Sequence, residues 1–221
     1  MTVPDGYLAC TPSIDCDHPA VREYANRNTV AGTSVVEMAV SLYYAVRDDF
    51  RYNPYKVDLT LEEIRASATL SKGYGWCVSK AVLLAACCRA KNIPARLGFG
   101  DVRNHLSTER LRRLMKTDVF YWHGFTDMYL EGVWVKATPA FNLQLCEKFG
   151  FPPLEFNGRE DSVFHPFDNK GNRHMEYLHD RGRYHDLPLT EIRRTFAEHY
   201  SDIEQGKDAD FDADVSRETA R

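Results

Sequence analysis

Hydrophobic residues recur with helical spacing at two places in the first part of the chain. The first run begins with a capping box, Ser34-x-x-Glu37, and its apolar residues fall every three or four positions as far as Phe50. A shorter run starts with the same signal at Thr60 and is broken by Gly73. The pattern therefore predicts two amphipathic helices before the middle of the chain.

The most apolar segment of the chain comes next. Residues 77–90 have the sequence CVSKAVLLAACCRA, which is apolar around most of the helical circumference. A helix of that kind is buried on nearly all sides. We therefore expect a central buried helix that begins at Cys77 and is stopped by Asn92 and Pro94.

Alternation of apolar and polar residues then replaces the helical period. Strands are predicted at 95–102, Val119–Leu130 and Val133–Ala137, with a hairpin turn at Glu131-Gly132. Short helices are predicted at 107–115, 141–149 and 190–200, whereas 152–188 is expected to be an ordered excursion with little regular structure. Helices followed by antiparallel strands predict an α+β fold, with the central buried helix packed on an antiparallel sheet.

Composition adds the expected organisation. The 221 residues, 43% hydrophobic and 27% charged, suit a globular protein of one domain. We predict one domain over 1–200, with its core at about 35–140 and a C-terminal excursion at 150–200. Residues 201–221 carry seven acidic and three basic side chains, so they are expected to form a solvated, flexible tail.

Charge and cysteine usage exclude several classes of partner. The formal net charge of −4 gives no general attraction to nucleic acid or to an anionic membrane. No stretch approaches the roughly 20 apolar residues of a bilayer span, and residues 1–10 lack the pattern of a secretory signal. The six cysteines form no CxxC pair, so a structural zinc site of that type is not expected. No cofactor is expected either. These features predict a cytoplasmic protein whose cysteines are all reduced.

Cys77 stands at a position that favours a nucleophile. It opens the buried helix directly after a glycine-containing segment. A helix N-terminus carries about half a positive charge, which favours thiolate over thiol. The free backbone N–H groups at the same end stabilise a developing oxyanion. The structural alternative is an inert buried cysteine.

His123 is the candidate base for Cys77. It lies far from Cys77 in sequence, and a cysteine nucleophile needs a base that the fold brings close. Strand alternation places His123 on one face with Phe125, Asp127 and Tyr129. The alternative is a histidine with only a structural role.

Together these segments resemble the transglutaminase-like superfamily. The resemblance covers about 35–139 and depends on the order of four segments, Gly75-Trp76-Cys77, Ile93-Pro94-Ala95-Arg96, Trp122-His123 and the hairpin from Tyr129 to Val135. It implies a papain-like α+β core with a Cys–His–Asp triad. Cys77 and His123 match the first two members.

The third member departs from the family pattern. The family's aspartate stands before a proline just after the hairpin, and here Thr138 occupies that place. Antiparallel counting from the turn puts Thr138 opposite His123. A threonine hydroxyl orients an imidazole by accepting its N–H, but it supplies no charge. Asn142, as an amide orienter, and Asp127, on the face of His123, stay open as alternatives.

The resemblance implies a cysteine enzyme that cleaves or transfers an amide bond through a thioester at Cys77. Its substrate would be a peptide or a small amide, and hydrolysis is preferred because it needs no second binding site. The missing aspartate keeps an alternative open, a non-catalytic binding module that retained the fold.

Other residues are candidates for substrate contacts. Tyr74, Trp76 and Trp122 are candidates for a substrate groove, and Arg96 and Arg103 for binding a substrate carboxylate. The excursion also carries histidines, namely His165, His174, His179 and His185. They lack firm metal-ligand spacing, so the excursion is expected to be a lid or substrate wall rather than a metal site.

Overall fold

The structure, a computed structural model, describes residues 5–104, 107–163 and 175–220. Helices dominate the first half of the chain. They are α1 (Pro19–Arg27), α2 (Val35–Asp49), α3 (Leu61–Ile64), α4 (Ala66–Lys72) and α5 (Cys77–Ala90). Two short strands, β1 (Arg51–Tyr52) and β2 (Tyr74–Gly75), pair in parallel between these helices.

The second half of the chain supplies an antiparallel sheet with the strand order β5-β4-β3-β6. Its strands are β3 (Ala95–Asn104), β4 (Val119–Leu130), β5 (Val133–Ala137) and β6 (Met175–Tyr184). The remaining helices are α6 (Glu109–Met115), α7 (Leu143–Phe149), α8 (Leu189–His199) and α9 (Phe211–Thr219). The predicted α+β fold, with a central buried helix packed on an antiparallel sheet, is confirmed.

Helix α5 forms the centre of the core. It is buried from Cys77 to Arg89 and packs on the sheet, where the Thr126 hydroxyl donates to the Ala81 carbonyl at 2.8 Å. Lys80 is fully buried in its middle. The ammonium of Lys80 donates to three carbonyl oxygens, those of Arg47, Phe50 and Ala140, at 2.8, 2.6 and 2.9 Å. Lys80 thus ties α5 to the end of α2 and to the segment after β5.

The capping boxes and the hairpin turn were predicted from short sequence signals. Such a signal held where no neighbouring side chain bound the capping residue instead. The capping box at α2 is confirmed, since the Ser34 and Glu37 side chains each accept the backbone N–H of the other at 3.2 and 2.8 Å. The second box is wrong, because the Thr60 hydroxyl bonds to the Asp58 carboxylate at 2.9 Å instead. The predicted hairpin is also confirmed, and both of its turn residues have positive φ, as a type I′ turn requires.

Strand β6 corrects the prediction that residues 152–188 have little regular structure. It pairs with β3 along its length and forms an edge of the sheet among the described residues. Its sequence, MEYLHDRGRY, is mostly polar and charged. Edge strands commonly carry such residues, which hide the apolar alternation that identifies a buried strand. The periodicity therefore could not reveal it.

The C-terminal segment also differs from expectation. Residues 211–219 form α9, in which Phe211 and Val215 are buried. The Asp214 carboxylate accepts hydrogen bonds from Arg110 at 2.6 Å and from the Tyr55 hydroxyl at 2.9 Å. Phe211 and Val215 stand at i, i+4 spacing and lie on the buried face of this helix, and the excess of acidic residues in the sequence concealed them. The one-domain division of the chain stays a prediction.

The cysteines require a further correction. Cys10 and Cys16 form a disulfide, so the expectation that all six cysteines are reduced is wrong. Disulfides persist mainly in oxidising compartments, and this pairing weakens the reasoning that led to a cytoplasmic location. Separately, each helix in the described part of the chain is too short or too polar to span a bilayer.

Candidate active site

Cys77 is the first residue of α5, and the residues before it fix where the helix begins. The Trp76 N–H donates to the Ser79 hydroxyl at 3.1 Å. A Cβ atom at Gly75 would lie 2.6 Å from that hydroxyl oxygen, closer than real contacts allow. A side chain at position 75 would therefore displace the Ser79 hydroxyl that accepts the Trp76 N–H at the start of α5.

Burial dominates the electrostatics of Cys77. The residue is 5% exposed, and burial raises the pKa of its thiol to about 11. Hydrogen bonds to the sulfur from the backbone N–H groups of Gly124, Val78 and Cys77 itself oppose that rise. The expected depression of the thiol pKa is therefore wrong for this closed site, because desolvation outweighs the helix N-terminus.

His123 lies on β4 directly after an irregular step of the strand. Trp122 has a φ of 60°, and the register between β3 and β4 shifts there, with Gly100 opposite His123 but Val102 opposite Phe120. The next residue, Gly124, has no side chain. A Cβ atom there would lie 3.0 Å from the Cα atom of Val78. The start of α5 therefore abuts β4 beside His123.

Cys77 and His123 line the same cavity, which has a volume of about 30 Å³. That is space for a water molecule or two. His123 is 6% exposed. Apart from His123 and Cys77, the walls are apolar or aromatic, and Tyr52, Trp76 and Phe196 are among the side chains that form them. The structure therefore brings both predicted residues to one small space, in which both are buried.

Helix α8 covers this cavity. Its Phe196 ring lies 5.7 Å from the Trp76 ring, and its Thr195 hydroxyl accepts the Trp122 indole N–H at 2.9 Å. Tyr200, the residue after α8, accepts the Tyr121 N–H at 2.7 Å and donates to a β4 carbonyl. The helix thus packs on the residues directly before Cys77 and before His123, the position that a lid would take.

A wider groove of about 500 Å³ adjoins the cavity. The two spaces share four lining residues, Val57, Phe196, Tyr200 and Ile203. These side chains form the wall between the groove and Cys77. A movement of this wall would join the sulfur to a space large enough for part of a peptide.

Thr138 does not lie where the counting placed it. The strand pairing starts at Leu130–Val133 and ends at Thr126–Ala137, and its register puts Thr138 beside Phe125 rather than His123. The count has to begin from the pair that flanks the turn, which shifts Thr138 by two residues. Its hydroxyl is buried and has no hydrogen-bond partner within the described residues.

The two alternatives for the third member have other partners. Asp127 is 1% exposed, and its carboxylate lies 2.8 Å from the Arg96 guanidinium, which stacks 3.9 Å above the Trp134 ring. The buried Asn142 accepts the Tyr52 N–H on its Oδ1 atom at 3.0 Å. Asn142 is therefore tied to a wall of the cavity, whereas Asp127 serves an ion pair.

Sequence reasoning missed Tyr52, Phe196 and Tyr200, which stand in segments without any motif. Of the predicted groove residues, Trp76 lines the cavity, Trp122 packs under α8, and Tyr74 lines a separate surface pocket.

Arg103 and the histidines of the C-terminal excursion were the other candidates for contacts with a substrate or a metal. Arg103 lies 3.0 Å from the Asp118 carboxylate and 3.2 Å from that of Glu176. In the described residues, no three His, Cys, Asp or Glu side chains are placed to hold a metal ion. His165 and His174 lie outside those residues.

Comparison with known proteins gives one family match. The model of the transglutaminase-like superfamily matches residues 22–139, which include Cys77, His123 and Thr138. A crystal structure from Cytophaga hutchinsonii, named a "Putative Cysteine Protease", is similar with a TM-score of 0.48 and 16% sequence identity. The similarity covers 80% of this chain and 53% of that one, so the chain spans about half of that structure's length. No curated protein matches the chain significantly.

Proposed function

This chain belongs to the transglutaminase-like superfamily, and we propose that it is a cysteine enzyme that cleaves an amide bond through a thioester on Cys77. The observation that carries the proposal is the shared cavity of Cys77 and His123. One residue opens a buried helix and the other lies on the strand that this helix abuts. A cysteine nucleophile needs a base that the fold brings close to it, and the shared cavity supports this pairing.

The raised thiol pKa determines the order of events. Because burial raises the pKa of Cys77 to about 11, the resting residue is a neutral thiol at physiological pH. His123 takes the proton as the sulfur attacks the carbonyl carbon, and the C=O electron pair moves to oxygen. The intermediate collapses, the C–N bond breaks, and the amine leaves with the proton from His123. Water then hydrolyses the thioester.

Substrate entry requires the wall to move. A cavity of about 30 Å³ has no room for an amide substrate, and the adjoining groove is separated from it by side chains that include Phe196 and Tyr200. We assign to α8 the role of a lid that opens as a peptide or small amide enters the groove.

Acylation by p-nitrophenyl acetate tests the proposal, because this ester has a good leaving group and acylates a reactive thiol more readily than an amide does. The expected result is release of p-nitrophenolate together with an acetyl group on Cys77, identified by mass spectrometry of the peptides. Cys87 and Cys88 are 0% exposed and serve as internal controls. Cys77→Ala should abolish the acetylation. A folded wild type that carries no acetyl group on Cys77 and releases p-nitrophenolate no faster than Cys77→Ala would contradict the proposal.

A second function is favoured by one observation. The Thr138 hydroxyl, at the position of the family's aspartate, has no hydrogen-bond partner within the described residues. A threonine at this position supplies no carboxylate of its own, which fits a non-catalytic binding module that kept the fold. A stable protein whose Cys77 resists acylation would support that alternative.

A further inference from the structure

Tyr52 is a buried tyrosine whose hydroxyl makes no hydrogen bond within the described residues. The residue is 7% exposed and lines the cavity with Cys77 and His123. Within the part of the chain that the structure describes, no donor or acceptor is bonded to this hydroxyl. The backbone N–H of Tyr52 donates to the side chain of Asn142. Other buried tyrosine hydroxyls are engaged, as the bond of Tyr43 to the Leu154 carbonyl at 2.8 Å illustrates.

The backbone of Tyr52 is fixed beside the start of α5. Tyr52 pairs with Gly75 in the parallel β1–β2 ladder, two residues before Cys77. The following N–H, that of Asn53, donates to the Gly75 carbonyl at 2.9 Å. On the other side, the Tyr52 N–H donates to the Asn142 Oδ1 atom at 3.0 Å. The residue is thus held on both edges of a short strand.

The ring of Tyr52 is fixed as well. The Phe141 ring meets it edge-on at 4.8 Å, and the Phe211 ring of α9 does so at 6.0 Å. A phenol held in this way keeps its hydroxyl at one position in the cavity. Tyr200, another buried tyrosine of the cavity wall, has its hydroxyl occupied by the Val119 carbonyl and the Tyr121 N–H. Tyr52 is therefore the better placed of the two to bind a substrate atom.

We propose that the Tyr52 hydroxyl is an oxyanion donor of the site. The inference rests on the proposed function. When the Cys77 sulfur bonds to the substrate carbonyl carbon, the C=O electron pair moves to oxygen, and the Tyr52 O–H donates a hydrogen bond to that oxygen. The C=O bond re-forms when the amine leaves with the proton held by His123. Tyr52 keeps its own proton throughout, and a fixed donor of this kind favours the transition state over the ground state.

The protonation of Tyr52 fits this role. Burial, together with the nearby Cys77, raises the pKa of the Tyr52 phenol well above its ordinary value. The hydroxyl therefore stays protonated at physiological pH and is available as a neutral donor.

Two reactions of Cys77 separate this role from a structural one. Acylation by p-nitrophenyl acetate passes through a tetrahedral oxyanion, whereas alkylation by iodoacetamide displaces iodide from a saturated carbon and forms none. Tyr52→Phe keeps the ring and removes the hydroxyl. We expect acylation of Cys77 to slow by about 100-fold while alkylation keeps the wild-type rate.

A matched control is Tyr55→Phe. The Tyr55 hydroxyl contacts the Thr108 hydroxyl at 2.6 Å and the Asp214 carboxylate at 2.9 Å, and Tyr55 is not among the residues that line the cavity. This variant should keep both rates. Thermal unfolding of each variant establishes that the rates refer to folded protein. We expect both variants to fold, because phenylalanine retains the ring packing of Tyr52 and of Tyr55.

Three results would overturn the assignment in distinguishable ways. Equal acylation of wild type and Tyr52→Phe would remove Tyr52 from the oxyanion site. A parallel loss of acylation and alkylation would show that Tyr52 acts on the thiol rather than on an oxyanion. A folded wild type that is not acylated at all would overturn the proposed function, and this assignment with it.

Discussion

The Asp101 carboxylate accepts the Trp122 N–H at 3.1 Å and thereby fixes the residue directly before His123. Trp122 has a φ of 60°, a conformation that non-glycine residues adopt at a cost. The same carboxylate oxygen accepts a hydrogen bond from Arg181 at 2.5 Å, and that guanidinium lies 4.7 Å from the centre of the Trp122 ring. Asp101 therefore stabilises the irregular step that sets the position of His123 on β4.

Two substitutions of Asp101 distinguish the role of its oxygen as a hydrogen-bond acceptor from the role of its negative charge. Asp101→Ala leaves the buried Trp122 N–H without a partner, so we expect a loss of about 1–3 kcal/mol in the free energy of unfolding and slower acylation of Cys77. Asp101→Asn keeps an oxygen acceptor and should retain most of the acylation rate. Asp118→Ala is the control, since Asp118 pairs with Arg103 on the surface. Wild-type acylation in Asp101→Ala would show that the step needs no such support.

Replacing His123 tests the base through pH. In His123→Ala the thiol ionises without help, and burial holds its pKa at about 11. The thiolate fraction, and with it the rate of alkylation by iodoacetamide, should then rise about tenfold per pH unit from neutral pH towards that value. The wild type should react faster than the variant at pH 7, and the two rates should converge near pH 11. Superimposable pH profiles would exclude His123 as the base.

The outcome at Cys77 shows how far the sequence led. The helix N-terminus, the glycine before it and the distant histidine were all visible as residue types in order, and each follows from local chemistry. The degree of burial of Cys77 was not visible in the sequence. It depends on Phe196 and Tyr200, which reach the cavity from a segment more than 100 residues away. Because burial is what raises the pKa of the Cys77 thiol, the direction of the shift could not be predicted either.

The same reason explains the error at strand β6 of the sheet. The hairpin was predictable because its turn and both strands are adjacent in sequence. Strand β6 pairs with β3 across about 80 residues, and its polar edge sequence carries no periodic signal. The error at Thr138 has a different cause, because the two-residue turn itself fixes the register: a count that begins at the Leu130–Val133 pair puts Thr138 beside Phe125.

Removing the Phe196 ring should open the site. Phe196→Ala deletes a side chain from the wall between the cavity and the groove. Alkylation of Cys77 by N-ethylmaleimide, which is bulkier than iodoacetamide, should increase more than alkylation by iodoacetamide. The expected stability loss is about 3 kcal/mol. Ile192→Ala is the control, because Ile192 is buried in the same helix but does not line the cavity. An equal gain in both variants would indicate loosening of α8 rather than an opened wall.

Thr138→Val tests the position of the family's aspartate. The hydroxyl is buried without a partner in the described residues, so its removal breaks no hydrogen bond there. We expect a free energy of unfolding equal to or above that of the wild type and an unchanged rate of Cys77 acylation. A slower acylation in the folded variant would show that this hydroxyl reaches His123 once substrate is bound.

Asn142 is the remaining polar residue that connects the segment after β5 to the cavity. Its Oδ1 atom holds the Tyr52 N–H, so Asn142→Ala should release Tyr52 and slow acylation of Cys77. Asn142→Asp retains an oxygen acceptor and should restore much of the rate. Alkylation by iodoacetamide should be unaffected in both variants, because it forms no oxyanion. A matching fall in alkylation would instead assign Asn142 to His123, since the orientation of the base affects the thiol in either reaction. The two rates together therefore decide whether Asn142 is the third member of the site or the anchor of Tyr52.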